Sequence, residues 1–368
     1  MKKNKKINSS KNFLIGLFIS VTLSLFIVMV TNLSIDPENL YSEKYKIFKN
    51  KTLNYDQIVN KIRGESLNLD VSENNLNRRK VSKAFSKHIN EYDCVLLGSS
   101  QVMKISNLTD KKSLPITCGK VLNLSVEGAV LEDYIALSKH INFDNTKLKK
   151  IIISIHPWSL NMNRDIRWQI YKDDFNYVFK KLTNIEFNKD NYSLSLLKNL
   201  TSLKYFNESL KGFKNKNFVF IKYFQKPIIN RDILLPDGSV INNQKELLSF
   251  NIKDSLKAAN YKIQKNEYYD NSTIQIYQRY INFFGEKFEI LFLHSPYSHE
   301  IWDNDELIVL KAIGEVEEKI KELAKLNKLK IIGSFDPRKI NCKPDDFIDI
   351  FHSKFSCLTK IENVILKN

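Results

Sequence analysis

The chain has 368 residues, of which 43% are hydrophobic and 27% are charged, and its net charge is +16. This length is enough for a full hydrophobic core and an additional module. The composition is typical of a globular protein and excludes a disordered chain or one with many membrane spans. The basic residues are spread along the sequence instead of clustering with aromatic residues on one predicted element. We therefore expect no nucleic-acid partner.

The N-terminus predicts a membrane anchor. Residues 1–12 carry five lysines and no acidic residue, and residues 13–35 carry no charge. The most apolar part of this segment is 18 residues long, close to the roughly 20 with which a helix crosses about 30 Å of hydrocarbon. We expect residues 13–32 to lie in the membrane. A cleaved signal peptide is the alternative, but no small-x-small cleavage site follows the apolar run.

Charge asymmetry around the span predicts its orientation. The lysines precede the apolar segment, whereas Asp36 and Glu38 follow it. The positive-inside rule therefore places the N-terminus in the cytoplasm and the rest of the chain outside the cytoplasmic membrane, in the periplasm or at the cell surface.

Five apolar runs further along the chain predict a parallel sheet. They are YDCVLL (92–97), KVLNLSV (120–126), LKKIIISI (148–155), KFEILFLH (287–294) and LKIIGSF (329–335). Continuous Val/Ile/Leu runs with helical segments between them are typical of parallel strands buried on both faces. Ahead of the fifth run, Ile313, Val316, Ile320 and Leu323 recur at helical spacing. This spacing predicts a helix that covers the sheet.

A long segment separates the third and fourth runs. It is about 130 residues, whereas an ordinary crossover needs roughly a dozen, so we expect an inserted module at about 158–286. Within it, "RDILLPDGSVINN" (231–243) predicts a hairpin, because Asp237-Gly238 is a strong turn signal. The expected organisation is a cytoplasmic tail and anchor at 1–35, a connecting region at 36–91 and an α/β domain at 92–368.

Polar or turn-forming residues follow four of the predicted strands. They are Gly98-Ser99-Ser100, Glu127-Gly128, His156-Pro157 and Ser295-Pro296. In an open parallel sheet, ligands bind beyond the carboxyl ends of the strands. The tight Gly-Ser-Ser turn is open to two interpretations: a structural turn, or a turn that presents a nucleophilic serine.

The C-terminal segment offers a base for such a serine. Asp349 and His352 are three residues apart, so both side chains can lie on one side of a single turn. The carboxylate can then accept a hydrogen bond from one imidazole nitrogen and leave the other to take a serine proton. This pattern favours Ser100 as nucleophile, His352 as general base and Asp349 as the residue that orients the imidazole.

Together and in this order, the motifs resemble the SGNH (GDSL-type) hydrolase superfamily over residues 90–157 and 287–361. The resemblance implies an α/β three-layer sandwich with a five-stranded parallel sheet in the order 2-1-3-4-5, and neither cofactor nor metal. It also assigns Ser100, Asp349 and His352 as catalytic residues. The backbone N–H groups of Ser100 and Gly128 would hold the oxyanion.

Two positions depart from the superfamily pattern. Ser99 replaces the aspartate of the first block, a change that relatives in the cell envelope tolerate. The asparagine of the third block, which normally completes the oxyanion hole, is absent: Ser154-Ile155-His156-Pro157 stands in its place. Losing one such donor costs roughly 10²–10³ in rate. His156 and Asn161 are the candidate replacements.

Within the superfamily, the single anchor and the phrases "HPWSLN", "SPYSHEIW" and "GSFDP" look most like membrane-anchored proteins of envelope-polysaccharide acylation. That group includes the teichoic-acid D-alanyl transfer and alginate O-acetylation proteins. The resemblance implies a serine esterase or acyltransferase acting on an acylated envelope glycan or a lipid-linked glycan. The alternative is a catalytically weak assembly or carbohydrate-binding partner of a membrane-bound O-acyltransferase.

Further candidates follow from residue type and position. Ser99, Trp158, His294 and His299 are candidate pocket residues, because they lie at or after the ends of predicted strands, and packing is the alternative for Trp158.

Cysteine positions suggest disulfides rather than a metal centre. None of the four cysteines forms a Cys-x-x-Cys pair, which leaves a zinc or redox site unsupported. Cys342 and Cys357 flank one short C-terminal segment and are expected to form a disulfide in an oxidising compartment. Cys94 lies within a predicted strand, where a buried free thiol is an equal alternative.

Overall fold

The computed structural model describes residues 2–36, 41, 54–71, 76–108, 118–162, 165–187, 197–215, 222–226, 231–241, 268–304, 308–361 and 365–366. The chain divides into two compact units. The smaller unit combines Met1–Leu53 with Asn188–Val219, and the larger unit combines Asn54–Phe187 with Phe220–Asn368.

The structure contains the helices α1 (Lys2–Ile35), α2 (Tyr55–Gly64), α3 (Arg78–Ser86), α4 (Leu131–Leu137), α5 (Lys172–Thr183), α6 (Leu203–Asn215), α7 (Asn271–Gly285), α8 (His299–Trp302), α9 (Ile308–Leu326) and α10 (Phe355–Leu358). The strands are β1 (Asn68–Asp70), β2 (Cys94–Leu97), β3 (Val121–Asn123), β4 (Lys150–Ser154), β5 (Tyr223–Phe224), β6 (Ile233–Leu234), β7 (Val240–Ile241), β8 (Glu289–His294), β9 (Lys330–Gly333) and β10 (Ile365–Leu366).

The smaller unit is built on the apolar helix α1. Its segment Asn12–Ile35 has a mean hydropathy of 2.7 and is long and apolar enough to cross a membrane. Phe13 and Phe18 are 70% and 73% exposed, which suits contact with lipid and not with water. Near the end of α1, the buried Asn32 donates to the carbonyl of Leu200 at 2.8 Å. The prediction of an N-terminal apolar helix is confirmed.

The larger unit contains a six-stranded sheet with the order β10-β9-β8-β4-β2-β3. The five strands β3, β2, β4, β8 and β9 pair in parallel in that order. Strand β10 is antiparallel to β9 at the edge of the sheet. The prediction of a five-stranded parallel sheet is confirmed. Because the strands are parallel, their carboxyl ends meet at one edge of the sheet, where ligands bind in open α/β folds.

Both faces of this sheet are buried. Leu96 and Leu291 belong to an apolar cluster on one face together with Cys357 and Leu358 of α10. Their neighbours of opposite parity in the strands, such as Val95, are equally buried. Since successive side chains of a strand point to opposite faces, both faces must be covered. The helical prediction is confirmed in α9, where four apolar side chains are buried: Ile313, Val316, Ile320 and Leu323.

A second, four-stranded sheet has the order β5-β1-β6-β7. Its strand β1 comes from residues 36–91, for which the sequence predicts a connecting region, and α2 and α3 flank it in the chain. The hairpin prediction is confirmed, because β6 and β7 pair antiparallel with Ile233 opposite Ile241. Residues 242–243 of the predicted hairpin lie outside the described residues.

A disulfide joins Cys94 to Cys118. Strand β2 pairs with β3 and places Cys94 beside Val121. Cys118 precedes Val121 by three residues, so it lies at the same end of the strand pair and meets Cys94. The alternative of a buried free thiol at Cys94 is wrong.

Substitution of Gly238 tests how the turn between β6 and β7 packs against Asn123. Gly238 has φ +81°, and a Cβ there would lie 2.4 Å from the carbonyl oxygen of Asn123. We expect Gly238→Ala to lower the free energy of unfolding by more than about 1 kcal/mol. Gly314 in α9 is the control, because a Cβ there meets nothing within 4 Å. Gly314→Ala should stabilise the protein by about 0.5–1 kcal/mol. Denaturant unfolding in which both variants change in the same direction would contradict this description of the turn.

Candidate active site

The Gly98-Ser99-Ser100 turn begins where β2 ends. A Cβ at Gly98 would lie 2.4 Å from Cγ2 of Val102 and 2.9 Å from Cβ of Ser154. The turn can therefore pack against the end of β4 only with glycine at this position. Two residues later, Ser100 opens a short 3₁₀ helix and is half-buried. This arrangement holds its hydroxyl at the carboxyl edge of the sheet.

The structure brings Ser100, His352 and Asp349 together. Oγ of Ser100 lies 2.8 Å from Nε2 of His352. Nδ1 of the same imidazole lies 2.8 Å and 2.9 Å from the two carboxylate oxygens of Asp349. When Nδ1 carries the proton and donates to Asp349, Nε2 is free to accept the serine proton. The contacts therefore have the geometry of a nucleophile, base and orienting acid.

The carboxylate is held in its ionised form. Burial acts to raise the pKa of Asp349, but hydrogen bonds from the His352 ring and from two backbone N–H groups outweigh it and keep the pKa below its ordinary value. These N–H groups belong to Phe351, at 2.7 Å, and to His352, at 2.8 Å. An ionised Asp349 can both orient the imidazole and stabilise its protonated form.

The loop that carries His352 is tied to its surroundings. Cys342 and Cys357 form a disulfide, the pairing expected from the sequence. Gln101, beside the nucleophile, donates from Nε2 to the Phe351 carbonyl at 3.0 Å. Asp346 accepts from the Lys343 N–H and from the Lys360 ammonium, each at 2.8 Å. These contacts fix the loop relative to the nucleophile turn.

A cavity of about 350 Å³ opens beside this triad. Ser100, Asp349 and His352 line it, together with seven apolar side chains that include Leu234 and Ile348. The other half of the lining is polar or charged, and a concave site that combines apolar surface with convergent polar groups is the usual form of a small-ligand pocket.

Gly128 lies in the loop after β3 and has φ +57°, in the left-handed region that favours glycine. A Cβ there would lie 2.7 Å from Nη2 of Arg167. The preceding carbonyl, of Glu127, accepts from Arg79 at 3.2 Å and from Arg167 at 3.1 Å. Glu127 lines the cavity, so this loop forms part of its wall, but Gly128 itself is not among the described residues that line it.

The two candidate replacements for the third-block asparagine lie elsewhere. His156 is fully buried, with Nε2 3.5 Å from the Tyr134 hydroxyl and its ring 4.4 Å from that of Trp158. Burial lowers the pKa of His156 to about 3, so the ring is neutral. Asn161 follows the 3₁₀ helix Pro157–Leu160. Neither residue is among the described residues that line the cavity.

None of the remaining predicted pocket residues lines the cavity that the described residues enclose. Ser99 is fully buried, and its hydroxyl has no hydrogen-bond partner in the described part of the chain. Trp158 makes an edge contact with Phe351 at 6.1 Å.

The two histidines after β8 pack against aromatic rings. The ring of His294 is buried and stacks on Phe335 at 4.1 Å, and burial lowers its pKa to about 3. His299 makes an edge contact with Phe347 at 5.9 Å. Neither histidine is among the described residues that line the cavity.

Sequence reasoning missed two cations that line the cavity, Arg78 and Lys104. Lys104 is half-buried, and burial lowers its pKa to about 8, although Asp349 and Asp232 act to raise it. Arg78 comes from the segment treated as connecting and reaches the cavity through the packing of α3. Lys104 lies four residues after the nucleophile and could have been found by that proximity, whereas no sequence signal points to Arg78.

Among the described residues, no group of three or more His, Cys, Asp or Glu side chains could hold a metal ion. No protein-family model matches the sequence, and no curated protein matches it either.

The Asp346 contacts predict how stability depends on pH. Burial acts to raise the pKa of Asp346, but hydrogen bonds from Lys360, Ser356 and the Lys343 N–H lower it to about 2. An unfolded aspartate has a pKa of about 3.9. The contribution of Asp346 to stability should therefore be complete above about pH 4 and disappear as the pH falls towards about 2.

Asp346→Asn should consequently lower the free energy of unfolding at pH 7 and converge with the wild type near pH 2. Denaturant unfolding of the full chain in detergent, repeated across this range, measures the difference. Asp345→Asn is the control, since its side chain is exposed, and it should follow the wild type throughout. A difference between wild type and Asp346→Asn that does not change with pH would contradict the prediction.

Proposed function

We propose that the protein is a membrane-anchored SGNH-like serine esterase or acyltransferase that acts on acyl esters of a cell-envelope polysaccharide. The observation that carries this proposal is the contact series from Ser100 through His352 to Asp349, with distances of 2.8 Å at each step. Residues 252 positions apart in sequence meet with the geometry that activates a hydroxyl nucleophile.

The chemistry follows from these contacts. Ser100 Oγ attacks the acyl carbonyl carbon while Nε2 of His352 takes the hydroxyl proton, and Asp349 stabilises the imidazolium. Collapse of the tetrahedral intermediate expels the alcohol, which receives the proton from His352 and leaves an acyl-enzyme. A second hydroxyl, from water or from a glycan, then attacks the acyl group. Water gives hydrolysis, and a glycan gives transfer.

The order of the strands supports the SGNH assignment. The five parallel strands lie in the order β3-β2-β4-β8-β9. Numbered along the chain, this is 2-1-3-4-5, the order that the resemblance implies. Ser100 follows β2, the first of these strands along the chain. Asp349 and His352 follow β9, the last of them along the chain. The long segment between β4 and β8 corresponds to the proposed insertion and supplies β6 and β7.

The cavity supports an acyl substrate. Its apolar side chains, such as Val81 and Val240, surround the triad in a space of about 350 Å³. An acyl group gains free energy from burial against such a surface, at roughly 25 cal/mol per Å² of apolar area.

The anchor supports an envelope substrate. The lysines of residues 1–12 precede the apolar segment of α1, and this asymmetry favours an N-terminus inside and a catalytic domain outside the cytoplasmic membrane. A polysaccharide or lipid-linked glycan of the envelope is the substrate accessible from that side, and a membrane-bound O-acyltransferase is the partner consistent with an acyl-transfer role.

One observation favours a second candidate function. His156, which stands where the third-block asparagine is expected, is buried against Trp158 and has a neutral ring. A weakened oxyanion hole would suit an assembly or carbohydrate-binding protein that retains the fold and serves an acyltransferase.

Labelling with a fluorophosphonate probe separates the two functions. The full-length protein in detergent should react covalently, because an activated serine attacks phosphorus as it attacks a carbonyl. Ser100→Ala should abolish labelling, and His352→Ala should slow it by roughly 10⁴-fold. Ser99→Ala is the matched control: its buried hydroxyl has no partner among the described residues, so labelling should persist. A folded wild type that remains unlabelled would favour the binding-protein function.

The orientation is tested with alkaline phosphatase fused after residue 368. This reporter is active only outside the cytoplasm, so the fusion should be active in intact cells. The same fusion lacking residues 13–30 should be inactive, because the span is removed. An inactive full-length fusion at normal expression would contradict the proposed topology.

A further inference from the structure

The last turns of α1 are covered, although most of the helix is not. The side chains of residues 13–27 are exposed, whereas Val28, Asn32 and Ile35 are buried. The helix α6 packs against α1 and belongs to the same compact unit. A later segment of the chain therefore returns to the end of the apolar helix and covers it.

Polar contacts fix this returning segment. Nδ2 of Asn32 donates to the carbonyl of Ser202 at 3.2 Å, and Oδ1 of Asn32 accepts from the Ser209 hydroxyl at 3.2 Å. The Tyr205 hydroxyl donates to the carboxylate of Asp36 at 2.7 Å. Because separation of the two segments would remove these hydrogen bonds from buried polar groups, the contacts hold α6 beside the last turn of α1.

The length of α1 sets the depth of these contacts. Its apolar segment Asn12–Ile35 has 24 residues. Such a segment is about 36 Å long, whereas the hydrocarbon layer of a bilayer is about 30 Å thick. When this segment crosses a bilayer, Asn32 lies in its last turn, at the boundary between the acyl chains and the headgroups. The contacts of Asn32 place α6 at the same level.

One face of α6 is apolar and exposed. Leu203 is 67% exposed and Leu210 is 40% exposed, and Phe206 lies between them in the sequence and is half-buried. Spacings of three and four residues place these side chains on one side of the helix. Tyr205 and Ser209 are buried and face the end of α1 instead. Contact of the apolar face with water would be unfavourable.

The composition of this segment suits a membrane surface. Residues 197–215 contain four lysines and one glutamate, and Lys204 is exposed. Helices with an apolar face and a basic polar face lie in the plane of the interface, with the apolar side among the upper acyl chains. Their lysines are attracted by anionic headgroups. The exposed apolar surface of α1 extends to Val30, so lipid that surrounds α1 reaches the level of α6.

We propose that α6 is an interfacial helix that lies on the membrane surface where α1 leaves the bilayer, with Leu203 and Leu210 among the acyl chains. The partner of this surface is the lipid bilayer. The helix holds the chain at the membrane surface beyond the span, in addition to the anchorage that α1 supplies. This inference rests on the proposed anchor and is independent of the chemistry proposed for Ser100.

The test places one fluorescent label on α6 of the full-length protein. All four native cysteines form disulfides, so a thiol-reactive NBD label attaches only to an introduced cysteine. Leu203→Cys and Leu210→Cys are labelled and reconstituted into vesicles of phosphatidylcholine with a minority of phosphatidylglycerol. Two quenchers are compared: lipids brominated near the top of the acyl chains, and aqueous iodide. Thermal melting checks that each labelled protein is folded.

Lys204→Cys is the matched control, because Lys204 is the neighbour of Leu203 and is exposed on the polar side of the helix. Brominated lipid should quench the labels at Leu203 and Leu210 several-fold more strongly than the label at Lys204. Iodide should quench them several-fold less strongly. Phe18→Cys is the positive control for lipid contact, since Phe18 lies in the apolar segment of α1 and is exposed.

The outcomes separate this inference from the other proposals. If iodide quenches the labels at Leu203 and Leu210 as strongly as the label at Lys204, the apolar face meets water and the inference is wrong. Protection of both leucine positions from both quenchers would also overturn it, because protein would then cover the face. If iodide and not brominated lipid quenches the label at Phe18, the anchor and the inference both fail. Fluorophosphonate labelling of Ser100 tests the chemistry separately.

Discussion

The hydrogen bond between Ser100 and His352 is the contact on which the rest of the site depends. The 2.8 Å separation of Oγ and Nε2 requires two distant segments to be placed with sub-ångström precision. On one side, the Gly98 turn packs too closely against Ser154 for any larger residue. On the other, a disulfide from Cys342 to Cys357 closes the loop that carries His352. Neither segment could hold this geometry alone, because a surface loop without such ties samples many conformations.

The charged groups around the triad are of two kinds. Some have partners of opposite charge or N–H donors, and others keep a polar atom without a partner among the described residues. The carboxylate of Asp349 is engaged by the imidazole and by two backbone N–H groups. Arg79 is neutralised by Asp133, in a buried pair. Arg78, its sequence neighbour, is held by neutral carbonyls and retains a buried nitrogen without a partner among the described residues. Two adjacent arginines therefore have different physical roles, one in packing α3 against α4 and one at the wall of the cavity.

Burial also determines the charge of two histidines, His156 and His294. His156 and His294 occupy strand ends, where a functional role was expected, yet burial lowers the pKa of each to about 3. A neutral ring packed against Trp158 or Phe335 contributes apolar contact area and no charge. The half-exposed His352 differs because its side chain is 31% exposed at the cavity and has a carboxylate partner. Burial and partner, and not residue type, distinguish His352 from His156 and His294.

The sequence by itself determined the features that depend on local pattern. Apolar runs predicted the five parallel strands, the uncharged segment predicted α1, and the Asp237-Gly238 turn predicted the pairing of β6 with β7. The short Asp349–His352 spacing also made their contact foreseeable, since the two residues share one turn. Tertiary structure alone decided what depends on contacts between distant segments: the Cys94–Cys118 disulfide, the second sheet and the arrival of Arg78 at the cavity. Periodicity reports which face of an element is apolar, but it carries no information on which carbonyls a distant guanidinium will meet. The packing of the helices and strands against one another decides which carbonyls the guanidinium contacts.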